Sequence, residues 1–464
     1  MQFTVGQQLG FNIILNGWNT FITGGGGVGK TELILKAAEH LQNMGKSVIM
    51  CAPTGMAALK INGVTVHRQF NAPVGVLNYR RDMYGADDEL IKTDVLIMDE
   101  VSMCRVDLFD FVCNKVLDAN RIRHNMGLED IQFILVGDFF QLAPVLLPNE
   151  KIALDKYYGK DMDAGYAFMS KFWDMFNFVP VILTEVVRQR DNDFILDLNK
   201  IRGGDKVYVN YIYENSNKNE IDGAITICGT NSEASEINTR RLREIDEEST
   251  FYEAITEGDV LPTDVNADFM LELREGARVI VIINSDESGG YKNGSLGTVV
   301  GLYDNEVIVQ LDSGGTETLM RYTWPVFRYS IEKDMYGIEK LTKKQVGSVT
   351  QFPLKLAYAI TIHKSQGQTY DKVNLSPYSW DCGQLYVAIS RVRSLENLHF
   401  NYAPDLSYVV VSLNVIKFHN KLVEIANANG NKYSIEKRQT ATKKKSEFDS
   451  DMSLLLSGLG GHWG

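Results

Sequence analysis

Along the first 150 residues, short apolar runs alternate with segments whose apolar positions recur at helical spacing. NTFIT (19–23), SVIMCA (47–52), DVLIM (94–98) and IQFILVG (131–137) are largely apolar, the pattern of strands buried on both faces of a parallel sheet. ELILKAAEHLQNM (32–44) has the helical period and stops at Gly45, which suits a C-cap. Each strand runs straight into a polar cluster: GGGGVGKT, PTG, DEVSM and DFFQLAP. Ligands of open α/β sheets bind at the carboxyl ends of the strands, so four clusters at four strand ends predict one crevice.

The second half repeats this logic more loosely. VILTE (181–185), AITIC (224–228), ARVIVIIN (277–284), KLAYAITIH (355–363) and VNLS (373–376) read as strands of a second α/β unit. Within it, GTVVGLYDNEVIVQLDSGGTETLMRYTW (297–324) alternates apolar and polar positions between Gly, Asp and Asn turns, which predicts a small antiparallel barrel. After about residue 430 the chain turns polar. Five basic residues between 437 and 445, followed by a Gly-rich end, predict a flexible tail.

Composition narrows the class. The chain has 464 residues, 44% of them hydrophobic and 23% charged, which suits a folded protein with room for roughly three domains. A formal net charge of -12 argues against a protein that coats nucleic acid with an overall basic surface, though a local basic channel is compatible with it. The acid is concentrated in 244–259, where seven carboxylates form a run expected to be solvated. Five scattered cysteines include no CxxC pair, so neither a zinc ribbon nor a disulfide framework is indicated. With no signal-like start and no run of about 18 apolar residues, a reducing cytoplasmic setting and no membrane partner are expected.

GGGGVGKT (24–31) matches GxxxxGK[ST] and lies between a strand and a helix, the context that a phosphate loop requires. Its glycines let main-chain N–H groups approach phosphate oxygens, Lys30 neutralises β/γ-phosphate charge, and Thr31 is a ligand for Mg²⁺. ATP and Mg²⁺ are therefore the expected cofactors. Asp99 follows a strand and suits the metal, and the adjacent Glu100 suits a base that takes a proton from the attacking water. Gln141, just past the next strand, can sense the γ-phosphate or place the water. Phosphoryl transfer also calls for an arginine worth a factor of about 10³–10⁵. Two candidates lie in the second half, Arg188 in LTEVVRQRDNDF and Arg391 in VAISRVRSLENL, which predicts ATP shared by two domains of one chain.

These blocks resemble a known family. GGGGVGKT, APTGMAALKINGVTVH (52–67), IMDEVSM (97–103), VGDFFQLAPV (136–145), LTEVVRQRDNDFILDLNKIRGG (183–204), ITIHKSQGQT (360–369) and YVAISRVRSLENL (386–398) stand in the order found in superfamily 1 DNA helicases of the Pif/RecD type. The likeness covers about residues 3–415. It implies two RecA-like P-loop domains with parallel sheets, an SH3-like β-barrel insertion in the second and a short wedge insertion in the first. It also implies ATP-dependent 5′→3′ movement on single-stranded DNA and unwinding of duplex at single-strand/double-strand junctions.

The resemblance also carries residue roles. VGQQLGFNIILNGWNTFITG (5–24) is similar to the family's glutamine motif, with Gln7 in the adenine-reading position. Gly24, Gly25, Gly26, Gly27, Val28, Gly29, Lys30 and Thr31 would cradle phosphate, with Gln366 and Gly367 near the nucleotide. Thr54, Thr65 and His67 in the first domain, and Thr361, His363 and Lys364 in the second, would grip the strand. Hydroxyls, imidazole and amides suit phosphate and sugar contacts that read no sequence.

The implied boundaries are 1–187 for the first RecA-like domain with a wedge at about 70–90, 188–284 with 351–430 for the second, 285–350 for the barrel insertion and 431–464 for the tail. Tyr79, Arg80, Arg81 and Tyr84 are the wedge candidates, and an ordinary surface loop is the competing reading. Lys292 is a candidate backbone contact or a plain turn lysine. The tail is read either as idle or as a dock for a replication or single-strand-binding protein. Both candidate arginines lie in cis, which favours a functional monomer. The competing classes are a P-loop ATPase that remodels protein, a non-catalytic nucleic-acid-binding module, and an enzyme that tracks RNA.

Overall fold

The computed structural model describes residues 3–73, 75–77, 87–186, 192–285, 290, 291, 293–333 and 339–438. These described residues fall into two compact units, one from those within 3–209, 380–390 and 409–438, the other from those within 210–379 and 391–408.

The first unit is built on a sheet of six strands, β1 (Thr20–Gly24), β2 (Val48–Ala52), β3 (Val64–Thr65), β4 (Val95–Met98), β5 (Gln132–Val136) and β6 (Val179–Leu183), in the order β3-β2-β4-β5-β1-β6. Every pairing is parallel. The two middle strands and β1 are buried along their whole length, in keeping with their largely apolar sequences. Pro180 sits in β6, an edge strand, where a missing N–H breaks no ladder. VILTE, read with the second half by its pattern but inside the 1–187 domain that the resemblance implies, closes the first sheet.

Helix α1 (Val5–Leu15) starts with a reciprocal cap between Thr4 and Gln7. Helix α2 (Lys30–Asn43) follows the phosphate loop and buries Leu33, Ile34, Ala37, Ala38 and Leu41 against the sheet. On the other face, aromatic side chains fill the core, with Phe21, Phe109, Phe133, Phe172 and Trp173 among them. The long helix Leu413–Ile435 completes that core: Val415 and Leu422 are buried in it, and Phe418 stacks on Phe168 with ring centroids 4.3 Å apart. Residues 409–430 thus belong to the first unit, whereas the sequence reading placed them in the second domain. Helical periodicity shows that an apolar face exists but not which core receives it.

In the second unit, Ala359–Thr361, Ile225–Cys228, Val373–Leu375 and Leu398–Phe400 form a parallel four-stranded sheet in that order. A separate five-stranded sheet joins Thr316–Met320, Glu306–Leu311, Leu296–Leu302, Arg278–Val281 and Leu354–Leu356, all antiparallel. ARVIVIIN therefore belongs to the antiparallel sheet. KLAYAITIH, read as one strand, splits between the two sheets and ends in the one-turn helix Ile362–Ser365. Among the described residues, no helix is long and apolar enough to cross a membrane.

Candidate nucleotide site and strand-binding residues

The strand order brings β4, β5 and β1 side by side, so the segments leaving their carboxyl ends meet. From β1 comes the phosphate loop. Gly24 has φ +152°, and a Cβ there would lie 2.3 Å from the Leu183 carbonyl oxygen of β6, so only glycine lets the loop leave the sheet at this point. Gly29 takes the left-handed conformation at the start of α2. Lys30 folds back, its Nζ donating to the carbonyls of Gly24 at 2.8 Å and Gly25 at 3.0 Å. Burial pulls the Lys30 ammonium below its ordinary pKa, against the attraction of Asp138, Glu100 and Asp99.

From β4 come Asp99 and Glu100. The Thr31 hydroxyl donates to Asp99 Oδ2 at 3.2 Å. Asp99 is 2% exposed, and burial together with the neighbouring Glu100 charge pushes its carboxyl up to about 6. A hydroxyl 3.2 Å from a buried carboxylate is the hard oxygen donor set that Mg²⁺ takes, so these residues fit that cation. Glu100 holds φ +52°, a conformation that costs a non-glycine residue roughly 1–3 kcal/mol and that recurs at functional sites. Its N–H donates to Asp99 Oδ1 at 2.8 Å, which fixes the pair in one turn.

From β5 comes GDFFQ. The Gln141 side chain donates to Asp138 Oδ2 at 3.2 Å. Asp138 is fully buried and receives Arg202 through Nη2 at 2.7 Å and Nε at 3.0 Å. Burial opposes its ionisation, but the Arg202 guanidinium outweighs this and holds the carboxyl below its ordinary pKa. The same guanidinium lies 4.3 Å from the Phe140 ring centroid. Asp138 and Arg202 lie in blocks that carry the family resemblance, but neither is a candidate site residue by sequence. An acid at a strand end beside Gln141 was the available signal; nothing local marks Arg202 as its partner, 64 residues away.

Residues 380–390 also join this site. Gly383 has φ +74°, and a Cβ there would lie 2.5 Å from the carbonyl oxygens of both Phe140 and Gln141. From it starts the helix Gln384–Ile389, whose Tyr386 hydroxyl accepts the Gly26 N–H at 2.8 Å. Gln7 is 5% exposed; its Oε1 accepts the Thr4 N–H, and its Nε2 donates to the carbonyls of Val28 at 3.2 Å and Gly29 at 3.4 Å. The carboxamide implied to read adenine thus ties α1 to the phosphate loop.

The strand-binding candidates share a local device. Thr54 accepts from Ala57 N, Thr65 from Arg68 N and Thr361 from Lys364 N, each capping a short helix. A capping hydroxyl uses its oxygen and keeps its hydrogen to donate elsewhere. His67 is half-buried near Arg105 and Asp107; burial lowers its pKa, which favours the neutral ring. In the second unit, burial and then Lys355 lower the pKa of Lys364, which keeps an exposed surface. Arg391 is 2% exposed, its Nη1 donating to the carbonyls of Ser365 at 3.2 Å and Gln368 at 3.1 Å, so the arginine anchors the HKSQGQ turn. Gly367 in that turn has φ +75° and adjoins Gln366. Arg188, Lys292 and the wedge candidates Tyr79, Arg80, Arg81 and Tyr84 lie outside the described residues, as does the tail from 439.

Known proteins resemble this chain along most of its length. The family model described as PIF1-like helicase matches residues 4–207. The chain is similar to an ATP-dependent DNA helicase PIF1 of Xenopus laevis, at 32% identity over 90% of this chain and 64% of the relative. It is also similar to an ATP-dependent DNA helicase Pif1 of a Psychrobacter species, at 31% identity over 86% of this chain and 68% of the relative. The chain thus spans somewhat less than two thirds of the Xenopus protein. A crystal structure of Pif1 helicase from Bacteroides in complex with ADP-AlF3 and ssDNA matches with a TM-score of 0.74 at 32% identity, covering 93% of this chain and 99% of that one.

Proposed function

Since the chain belongs to the PIF1-like helicase family, we propose that it is an ATP-dependent DNA helicase that moves 5′→3′ along single-stranded DNA and unwinds duplex at junctions. The observation that carries this reading is the convergence, at one sheet edge, of Lys30 and Thr31, Asp99 and Glu100, and Gln141 with its Asp138–Arg202 support. That set supplies the phosphate, metal and water contacts that hydrolysis of a nucleoside triphosphate calls for, and the γ-phosphate arginine is assigned separately.

In this reading Lys30 exchanges its two carbonyl partners for phosphate oxygens. Thr31 and Asp99 would hold Mg²⁺, which supplies charge neutralisation at the phosphates when bound. Glu100, fixed by its strained backbone, accepts a proton from the attacking water. Gln141 is oriented by Asp138 and places that water or senses the γ-phosphate. Arg391 is assigned to the γ-phosphate on its motif, and Arg391→Ala is expected to lose turnover more than nucleotide binding. Thr54, Thr65, His67, Thr361, His363 and Lys364 are assigned to the DNA backbone. The wedge at about 70–90 and the SH3-like character of the antiparallel insertion belong to the same proposal.

The test is ATP hydrolysis with and without single-stranded DNA or RNA, joined to unwinding of duplexes bearing a 5′ or a 3′ tail. DNA stimulation and preference for the 5′ tail are expected. Hydrolysis indifferent to DNA would favour a protein-remodelling ATPase, and stimulation by RNA alone an RNA translocase. Glu100→Gln is expected to bind ATP and lose about 10²–10⁴-fold in turnover. Near-normal turnover would remove Glu100 from the base role.

A further inference from the structure

Two groups in the phosphate loop that would be required for phosphate already have partners in this chain. Lys30 is satisfied by the carbonyls of Gly24 and Gly25. The Gly26 N–H, at the outer turn of the loop, donates to the Tyr386 hydroxyl oxygen at 2.8 Å. The contact is built in. Tyr386 is 4% exposed, and a Cβ on Gly25 would meet its hydroxyl at 3.3 Å and Asn199 Oδ1 at 3.1 Å. A Cβ on Gly26 would lie 3.7 Å from Ser390 Oγ. The helix bearing Tyr386 is seated at its other end by Gly383 on the carbonyls of Phe140 and Gln141.

We propose that Tyr386 is a phosphate-displaced latch: its hydroxyl holds the Gly26 N–H until an oxygen of the incoming nucleotide's phosphates takes that hydrogen bond, so nucleotide binding frees the helix Gln384–Ile389. The inference rests on the assignment of this loop to ATP. Its chemistry is competition between acceptors. A phosphate oxygen is charged, and charge-assisted hydrogen bonds are roughly twice as strong as neutral ones, so the nucleotide wins. The hydroxyl nevertheless weakens nucleotide binding by the hydrogen bond that must be broken. Five residues beyond Tyr386 the chain reaches Arg391, where it passes into the second unit, so the state of the phosphate loop is linked through one short helix to that arginine. Tyr386 is thus a positioning residue, acting through the loop and the helix.

The experiment compares ADP binding by the full chain and by Tyr386→Phe, which keeps the ring and removes the hydroxyl. The variant is expected to bind ADP about fivefold more tightly, the weight of one ordinary hydrogen bond. Its melting temperature without nucleotide is expected to fall, and the rise on adding ADP to grow. A structural role alone would lower both. Unchanged or weaker ADP binding by the variant would overturn the latch. Failure of the unaltered chain to bind ADP would instead overturn the ATPase reading. If Tyr386→Phe does not fold, Tyr386→Met deletes the same hydroxyl and is read in the same way.

Discussion

Asp138 has no exposed surface, and the fork of Arg202 pairs with it while the Lys30 ammonium adds a further attraction. Replacing such a pair by apolar groups can be nearly neutral, whereas removing one partner strands the other charge in a medium that cannot solvate it. Arg202→Met is therefore expected to cost about 3–5 kcal/mol, read as a shift in urea midpoint. Adding Asp138→Asn should restore most of that loss without restoring ATP turnover, because Gln141 would then lack the carboxylate that orients it. Full loss in the double variant would mean that Arg202 acts through packing on Phe140 rather than through charge. Glu100 makes a related point. Its left-handed backbone lowers stability, and the adjacent Asp99 carboxyl is pushed up to about 6 by burial and by Glu100 itself. Both costs fall on residues that the proposed chemistry needs, as expected where function opposes stability.

The helix Leu413–Ile435 shows how far an element can act from its place in the sequence. Leu422 is 5% exposed within the aromatic core beneath the six-stranded sheet. Leu422→Ala is expected to cost about 2–5 kcal/mol, from lost burial and the cavity left behind. With two compact units the chain need not unfold in one step, so the shift should appear in the transition that also reports Trp173 fluorescence. A shift confined to another transition would mean that the helix does not stabilise that core. The sequence made much of this architecture legible. Unbroken apolar runs marked β1, β2, β4 and β5, and the polar segments following them marked the crevice. GxxxxGKT, DE and the glutamine after β5 marked residues that the sheet brings to that crevice. What escaped were pairings between distant segments: Arg202 with Asp138, Tyr386 with Gly26, and Phe418 with Phe21. Periodicity reports that a side chain will be buried and local motifs report its chemistry, but neither names the partner across 64 or 360 residues. KLAYAITIH shows the same limit, since a continuous apolar run gave no sign that it serves two sheets.

At the scale of the whole molecule, a net charge of -12 sets a condition on the DNA binding that we propose. A polyanion is repelled by the average surface, so affinity must come from a few local contacts that overcome the mean field. Threonine hydroxyls that cap short helices suit this, because they donate to phosphate without adding charge. Lys364 differs: it is exposed, at the head of the HKSQG turn, and its lowered pKa reflects burial and the nearby Lys355. Each phosphate neutralised on a single strand contributes about -0.7 to the slope of log K against log salt. A chain relying mostly on neutral donors should show a shallow slope of roughly -1 to -3, well short of a protein that coats DNA with lysine. Lys364→Ala should lower affinity similarly for every base sequence and reduce the slope by about 0.7. Thr361→Val, by contrast, should weaken binding with little change in slope, because no counterion is released by a hydroxyl. Both slopes are measured by fluorescence anisotropy on labelled oligothymidine across a salt series. If Lys364→Ala leaves the slope unchanged, the lysine does not neutralise a phosphate and the strand does not pass over this turn.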